Sequence, residues 1–266
     1  MEILGYIASI FMGLSLGMIG GGGSILTVPI LVYLFGVDPV LSTAYSLFIV
    51  GLTALVGGAF YLKRGEVDLK TAMIFAVPSF VGVYLTRAFV MPNLPDPVFS
   101  IGEHTISKAL LIMAIFAVLM VAASVSMIRS KGKPKTASDM SLKARISLIA
   151  LEGLLVGGVT GFVGAGGGFL IIPALVLLVG LPMKLAVGSS LFIIAAKSLL
   201  GFIGDLQQGT VIDWTLLLSV AGIAVVGLFI GMKLSKKVSE TALKKGFGVF
   251  VLLMGTFILI DQIQKM

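Results

Sequence analysis

The chain has 266 residues, of which 58% are hydrophobic and 12% charged, and its mean hydropathy is +1.15. A soluble domain of this length cannot bury so much apolar side chain, which excludes that class and leaves a protein whose solvent is lipid. The absence of cysteine excludes disulfides and cysteine-based metal sites. The net charge is +7, and the basic residues lie in loops between apolar segments, where they indicate membrane orientation rather than nucleic-acid binding.

Eight apolar segments separated by short polar stretches predict an all-α polytopic membrane protein. They cover residues 3–36, 39–62, 69–90, 106–128, 145–180, 184–204, 213–234 and 243–263. A longer polar and basic stretch near the middle divides the chain into a first transmembrane repeat (1–128), a basic cytoplasmic linker (129–144) and a second transmembrane repeat (145–266).

The first apolar segment is too long for one straight span. A helix over 3–36 would be about 50 Å long, whereas the hydrocarbon core is about 30 Å thick. The stretch "GMIGGGGSILTVPIL" places a glycine cluster in its middle, which predicts two half-helices that form either a hairpin or a short crossing pair. The fifth segment has the same length and contains "GFVGAGGGFLIIPAL", so the same prediction applies there.

The two glycine stretches belong to an internal repeat. A shift of 144 residues aligns Gly20 with Gly164 and Tyr45 with Ser189, and one inserted residue then aligns Asp68 with Asp213. Glycine and proline matches at fixed spacing are typical of the repeats that build transporters.

The basic loops distinguish two topologies, in which the glycine segments either turn back or cross the membrane. If both segments turn back, the basic stretches at 63–70, 129–144 and 233–245 all lie on one side, which the positive-inside rule makes cytoplasmic, and the halves are inverted. If both cross, the chain spans eight times and 233–245 lies outside. We favour inverted repeats, each with a glycine-broken helical hairpin followed by three transmembrane helices; the loop with Asp205 and Asp213 then lies outside.

A helix that restarts after a glycine break inside the membrane presents its first N–H groups and its positive dipole end to whatever lies beside it. Such a helix start binds small anions, and backbone left open in lipid survives only where it is buried in protein or lines a wet cavity. The alternative is that the glycines only allow close helix packing. The candidate anion-binding positions are Gly20, Gly21, Gly22, Gly23, Ser24, Gly164, Ala165, Gly166, Gly167 and Gly168.

Polar residues within the spans are further candidates because charges at mid-bilayer usually face a cavity or a partner. Lys197 is predicted to add positive potential to an anion path, and Glu152 either pairs with Lys197 or carries a proton, unless both are purely structural. Arg87, near a span end, is interpreted as an interfacial anchor. Four hydroxyl residues at equivalent repeat positions could bond a sulfonate or simply a backbone carbonyl: Tyr45, Ser46, Ser189 and Ser190.

The paired glycine segments ending in "VPIL" and "IPAL", the "SLF" after each, and "GEVD" and "GTVID" further on resemble the TauE/SafE family over essentially the whole chain. The resemblance implies a secondary transporter of small sulfur-containing anions such as sulfite, sulfoacetate or related organosulfonates in the cell membrane, the inner membrane in a bacterium, with no cofactor. An anion channel is the alternative, and a membrane-embedded enzyme a weaker one. Expected partners are the anion and the lipid bilayer, with proton coupling and a homodimer left open and no nucleic acid.

Overall fold

The computed structural model describes residues 2–101, 104–129, 142–177, 179–235 and 240–264, and most of the predicted linker therefore lies outside the described residues. The described part is nearly all helical, with one short antiparallel hairpin of β1 (Phe99–Ile101) and β2 (His104–Ile106). The helices are α1 (Glu2–Ile19), α2 (Gly21–Leu34), α3 (Pro39–Lys63), α4 (Leu69–Asn93), α5 (Lys108–Arg129), α6 (Leu142–Val163), α7 (Gly168–Leu177), α8 (Met183–Gln207), α9 (Trp214–Leu234) and α10 (Glu240–Gln264).

Seven of the described helices, α1, α3, α4, α5, α6, α8 and α9, are long and apolar enough to cross a membrane. Many large apolar side chains on their outer faces are exposed, including Phe11, Val118 and Phe229. A soluble protein would bury such a surface, whereas lipid tails solvate it. The predicted all-helical, multi-pass architecture is confirmed.

Aspartates start three of the long helices. Asp38 precedes Pro39 at the start of α3 and accepts hydrogen bonds from two backbone amides, while Asp68 and Asp213 cap α4 and α9 by accepting one such bond each. A capping carboxylate satisfies amides that have no partner in the first turn. Asp68 and Asp213 are equivalent in the repeat, so both halves use the same helix-start signal.

Both predicted helix breaks are present. In the first half, α1 ends at Ile19 and the chain turns at Gly20, whose φ is 75°. In the second half, residues 164–167 are not helical, and Gly164, Gly166 and Gly167 have φ values of 72°, 40° and 72°. Such angles are costly for residues with a Cβ, which explains why glycine occupies these positions.

The first glycine segment turns back as a hairpin. The rings of Tyr6 and Phe35 lie 5.2 Å apart, near the start of α1 and just after the end of α2. At the other end of the hairpin, a methyl group on Gly23 would collide with the backbone of Leu16. Because α2 runs back along α1, α3 starts at the end of the bundle where α1 starts, and the two helices run in the same direction.

Each half packs its first helix against the third long helix of the other half: α1 lies against α9, and α6 against α4. Glycines bring these backbones close enough that a Cβ would strike a carbonyl oxygen of the partner helix. The contacts occur in pairs related by the repeat: Gly13 with Ala224 and Gly157 with Ser79, then Gly227 with Ile10 and Gly82 with Leu154. Small residues at helix interfaces commonly serve this purpose in membranes.

The equivalent helices α3 and α8 pack against each other at the centre of the bundle and run antiparallel. The ring of Phe48, near the start of α3, lies 5.2 Å from that of Phe202, near the end of α8, and Gly58 further along α3 approaches Phe192 near the start of α8. These two helices are the most deeply buried of the seven candidate spans. Both glycine breaks pack against these two central helices.

Candidate functional site

The two glycine breaks cross each other in the middle of the protein. Gly21 and Gly168 lie backbone against backbone, so that a Cβ on either one would overlap main-chain atoms of the other. Ser24 joins the breaks, because its hydroxyl donates to the carbonyl oxygen of Gly21 at 2.7 Å and lies 3.4 Å from that of Ala165. Residues 19–31 and 163–169 are buried, so this crossing is closed to solvent in the structure.

The ten backbone positions predicted for the anion site all lie at the two breaks, and the contacts across the crossing join Gly21 to Gly168 and Ser24 to Ala165 and Gly166. Gly20, Gly21, Gly22, Gly23 and Ser24 come from the first break, and Gly164, Ala165, Gly166, Gly167 and Gly168 come from the second. The two sides differ in geometry: α2 restarts as a 3₁₀ turn over Gly21–Leu26, whereas α7 restarts directly as an α-helix. Each start has N–H groups without intrahelical partners, and these are the donors that an anion would use.

Lys197 places a positive charge beside the second break. Its side chain is 0% exposed, and its Nζ donates to the hydroxyl of Thr160 at 2.6 Å. A methyl group on Gly167 would lie 2.8 Å from that nitrogen, so the ammonium group sits directly against the turn that precedes α7. The equivalent residue of the first half is Thr53, which bonds its own helix at Ile49, so the charge occurs in one half only.

Glu152 does not pair with Lys197. No ion pair joins the two among the described residues, and the amine of Lys197 is turned to Thr160 instead. Glu152 lies half-buried on α6, and its Oε2 is buried without a hydrogen-bond partner. The pairing predicted from the sequence is therefore wrong, while the proton-carrying role of Glu152 stays a prediction.

The four hydroxyl candidates divide into two groups. Ser190 lies against the first break, since a methyl group on Gly20 would be 3.0 Å from its Oγ, and this hydroxyl donates to the carbonyl oxygen of Val187. Ser46, its equivalent in the first half, has a buried Oγ with no hydrogen-bond partner. Ser46 lies on α3 and Ser190 on α8, and a role of either in anion contacts stays a prediction.

Tyr45 and Ser189 instead hold helix starts in place. The backbone amide of Asp213 donates to the hydroxyl of Tyr45 at 2.7 Å, and the amide of Asp68 donates to that of Ser189 at 2.9 Å. The two bonds are equivalent in the repeat, and each ties the first residues of α9 or α4 to the central helix of the other half. These hydroxyls, which the sequence pattern alone leaves open as sulfonate ligands, are therefore already engaged with backbone amides.

One buried ion pair was not predicted. Arg87 on α4 is 1% exposed, and its Nη1 lies 3.2 Å from Oδ1 of Asp205 on α8. The interpretation of Arg87 as an interfacial anchor is wrong, because the side chain turns into the protein rather than toward lipid headgroups. Arg87 and Asp205 are 118 positions apart, so their spacing in the sequence does not indicate that they pair. A charged residue inside a span was nevertheless a sign that the side chain has a partner within the protein.

A family model described as "Sulfite exporter TauE/SafE" matches residues 6–258. The chain belongs to the TauE/SafE family. The match covers both glycine breaks and nearly all of the described spans, so the resemblance expected from the motifs is confirmed, and with it a multi-pass membrane transporter.

The relatives of this TauE/SafE chain are named as transporters. A "Probable membrane transporter protein" of Xylella fastidiosa is 29% identical over 251 residues, covering 93% of this chain and 90% of the relative. The "Probable membrane transporter protein YunE" of Bacillus subtilis is 26% identical over 98% of this chain and 99% of its own length, and MJ0441 of Methanocaldococcus jannaschii, named in the same way, is 25% identical over 94% of both. No solved structure matches the chain significantly.

Proposed function

We propose that this protein is a secondary transporter of small sulfur-containing anions, such as sulfite, sulfoacetate or related organosulfonates, and that it holds the anion where the two glycine breaks cross. The observation that carries the proposal is the buried ammonium group of Lys197 against Gly167. No carboxylate pairs with it within the described part of the chain.

A buried cation without a counter-ion is costly in the low dielectric of a membrane protein, by at least a few kcal/mol on insertion scales. Its electrostatic free energy falls when an anion binds beside it, and the free N–H groups at the start of α7 add donors for the oxygens of that anion. The substrate class follows from the family description, since the relatives themselves are named only as membrane transporters.

Because the crossing is closed to solvent, transport requires that it opens to each side in turn. Inverted halves provide two equivalent ways of opening, and the antiparallel packing of α3 against α8 supports this inversion. Export of an anion from a cell with an inside-negative potential gains about 2.3 kcal/mol per charge and 100 mV, whereas import needs a coupled ion. Glu152, with its unpartnered buried oxygen, is the candidate for carrying a coupled proton.

The test is anion flux in proteoliposomes containing the purified chain, with sulfite, sulfoacetate, thiosulfate, sulfate and a carboxylate compared at imposed potential and pH gradients. Lys197→Met is expected to slow flux of the preferred anion about tenfold or more, the equivalent of about 1.4 kcal/mol of lost stabilisation. Lys197 is a buried charge without a counter-ion, and replacing it by an apolar side chain removes a desolvation cost, so the thermal midpoint should stay the same or rise.

Lys184→Met is the matched control because it removes the same charge from the same helix, at a side chain that is 73% exposed and paired with Glu66. It should transport as the unsubstituted chain does. Unchanged flux in Lys197→Met would contradict an anion site at the crossing of the glycine breaks. Single-channel currents would show that the protein is an anion channel rather than a transporter.

A further inference from the structure

A polar cavity opens at the end of the bundle where α3 starts, away from the crossing of the glycine breaks. Its volume is about 300 Å³, and its polar lining comes from the starts of α3 and α5 and the ends of α4 and α8. The residues that matter for its chemistry are Asp38, Arg87, Lys108, Asp205 and Gln208. The volume is at the lower limit of small-molecule sites and suits a small ion with a few waters.

The guanidinium group of Arg87 is only partly used. Nη1 contacts Oδ1 of Asp205 at 3.2 Å, whereas Nε and Nη2 are buried without hydrogen-bond partners. Oδ2 of Asp205 is also buried and unpartnered. Arg–carboxylate pairs often form two parallel hydrogen bonds, so this single contact leaves two nitrogens of Arg87 without acceptors, in a residue that lines the cavity.

The neighbours of Arg87 hold it in this position. Gln208 donates to the backbone carbonyl oxygen of Arg87 at 2.6 Å, and a methyl group on Gly204 would lie 3.0 Å from the Cβ of Arg87, so α4 and α8 approach closely here. Lys108 donates to the carbonyl oxygen of Met91 at 3.0 Å and brings a second cation to the cavity. The carboxylate of Asp38 is occupied in capping α3.

The equivalent positions of the other half carry no charges. The repeat places Met232 at the position of Arg87 and Tyr61 at that of Asp205, and both belong to the apolar core there. The two charges are therefore not needed to pack α4 or α9 against the central helices. A charge pair that packing does not require, beside a cavity, is a candidate for binding a ligand.

We propose that this cavity is a second oxyanion site, separate from the crossing of the glycine breaks, in which a small sulfur or phosphorus oxyanion binds the Nε–Nη2 edge of Arg87 with Lys108 as the second cation. Asp205 occupies the other edge and acts as a tethered competitor that weakens binding. The site lies at one end of the protein only, so the anion meets it on one face of the membrane before or after the central site.

The experiment measures sulfite binding to the full chain in neutral detergent by calorimetry, with each variant combined with Lys197→Met so that the central site contributes least. Asp205→Asn retains an acceptor for Arg87 but removes the competing charge, and it should raise sulfite affinity about tenfold, the size expected for one charge-assisted contact. Arg87→Gln combined with Asp205→Asn keeps the pair neutral and should abolish this binding.

A lipid phosphate has the same chemistry as a free oxyanion, so the same variants are compared in nanodiscs of phosphatidylcholine with and without phosphatidylglycerol. If Arg87 is needed to retain phosphatidylglycerol and sulfite does not bind, the site holds a headgroup phosphate. If Arg87 is needed for sulfite binding, the site holds a free anion. If the double variant does not fold, Asp205→Asn decides, and unchanged sulfite affinity and lipid retention in that variant would overturn the site. Because the binding is measured with Lys197 removed, its failure leaves the proposed transport function untouched.

Discussion

At the residue scale, the contact between Gly21 and Gly168 leaves no room for a single methyl group. A Cβ on Gly168 would overlap the backbone of Gly21, and backbone cannot move aside as a flexible side chain does. We therefore expect Gly168→Ala to lower the free energy of unfolding by at least about 1–3 kcal/mol, the usual cost of overpacking, and to slow transport. The measurement is thermal unfolding of the purified protein in detergent.

Gly222→Ala is the control for that substitution. Gly222 lies within α9, and a methyl group there meets nothing within 4 Å. Alanine favours helix more than glycine does, so this variant should be as stable as the unsubstituted chain or slightly more so. Equal stability of the two alanine variants would show that the breaks are not packed against each other as the structure has them.

The two helix breaks could be predicted because a run of glycines weakens a membrane helix at the point where it occurs. The partners of the charged side chains could not. Lys197 and Glu152 were paired on the sole ground that both lie within spans, yet the amine bonds Thr160. Arg87 was assigned to the interface from its place near a span end, because its partner Asp205 belongs to a helix of the other half.

At the element scale, Tyr45 and Ser189 tie α9 and α4 to the central helices. Tyr45→Phe leaves the amide of Asp213 without its acceptor, and Ser189→Ala does the same to Asp68, so each should lower the free energy of unfolding by about 0.5–1.5 kcal/mol. If the hydroxyls instead serve as anion ligands, the same substitutions raise the substrate KM and leave stability unchanged. Thermal unfolding and flux, measured on the same preparations, separate the two roles.

Tyr84→Phe is the matched control for the tyrosine, since its hydroxyl bonds Gln207 at an exposed position. It should change neither stability nor flux. Tyr45 and Ser189 lie on different helices and share no partner, so their effects in the double variant Tyr45→Phe, Ser189→Ala should add within about 0.5 kcal/mol. A clear departure from additivity would indicate that the two helix starts are coupled.

The number and limits of the helices could be predicted because hydropathy and helix length are local properties. The hairpin was also accessible, since an apolar segment over 3–36 exceeds one span and the charges of distant loops favoured a turn. The exchange of partners, with α1 against α9 and α6 against α4, was not accessible. Each pairing depends on which glycine faces which carbonyl oxygen. The positions of small residues in a single sequence fit several partner helices, so they do not identify the partner.

At the scale of the whole molecule, helix directions place the basic residues that end α3 and α9 at one end of the bundle. The chain starts α1 and α3 at the same end, and α9 runs parallel to α1, as the contacts of Gly13 with Ala224 and Gly17 with Leu228 require. Lys63 at the end of α3 and Lys233 at the end of α9 therefore share the opposite end of the bundle. The positive-inside rule assigns that end to the cytoplasm.

This orientation predicts the accessibility of single cysteines, which are simple to introduce because the chain has none of its own. Val211, 87% exposed between α8 and α9, lies at the other end, so Val211→Cys should react with a membrane-impermeant maleimide added to intact cells. Lys70→Cys and Lys233→Cys should react only after the membrane is permeabilised. If the chain instead crosses the membrane in eight simple spans, Lys233→Cys should be labelled from outside while Lys70→Cys is protected. That result would contradict both the inverted halves and a transport cycle built on them.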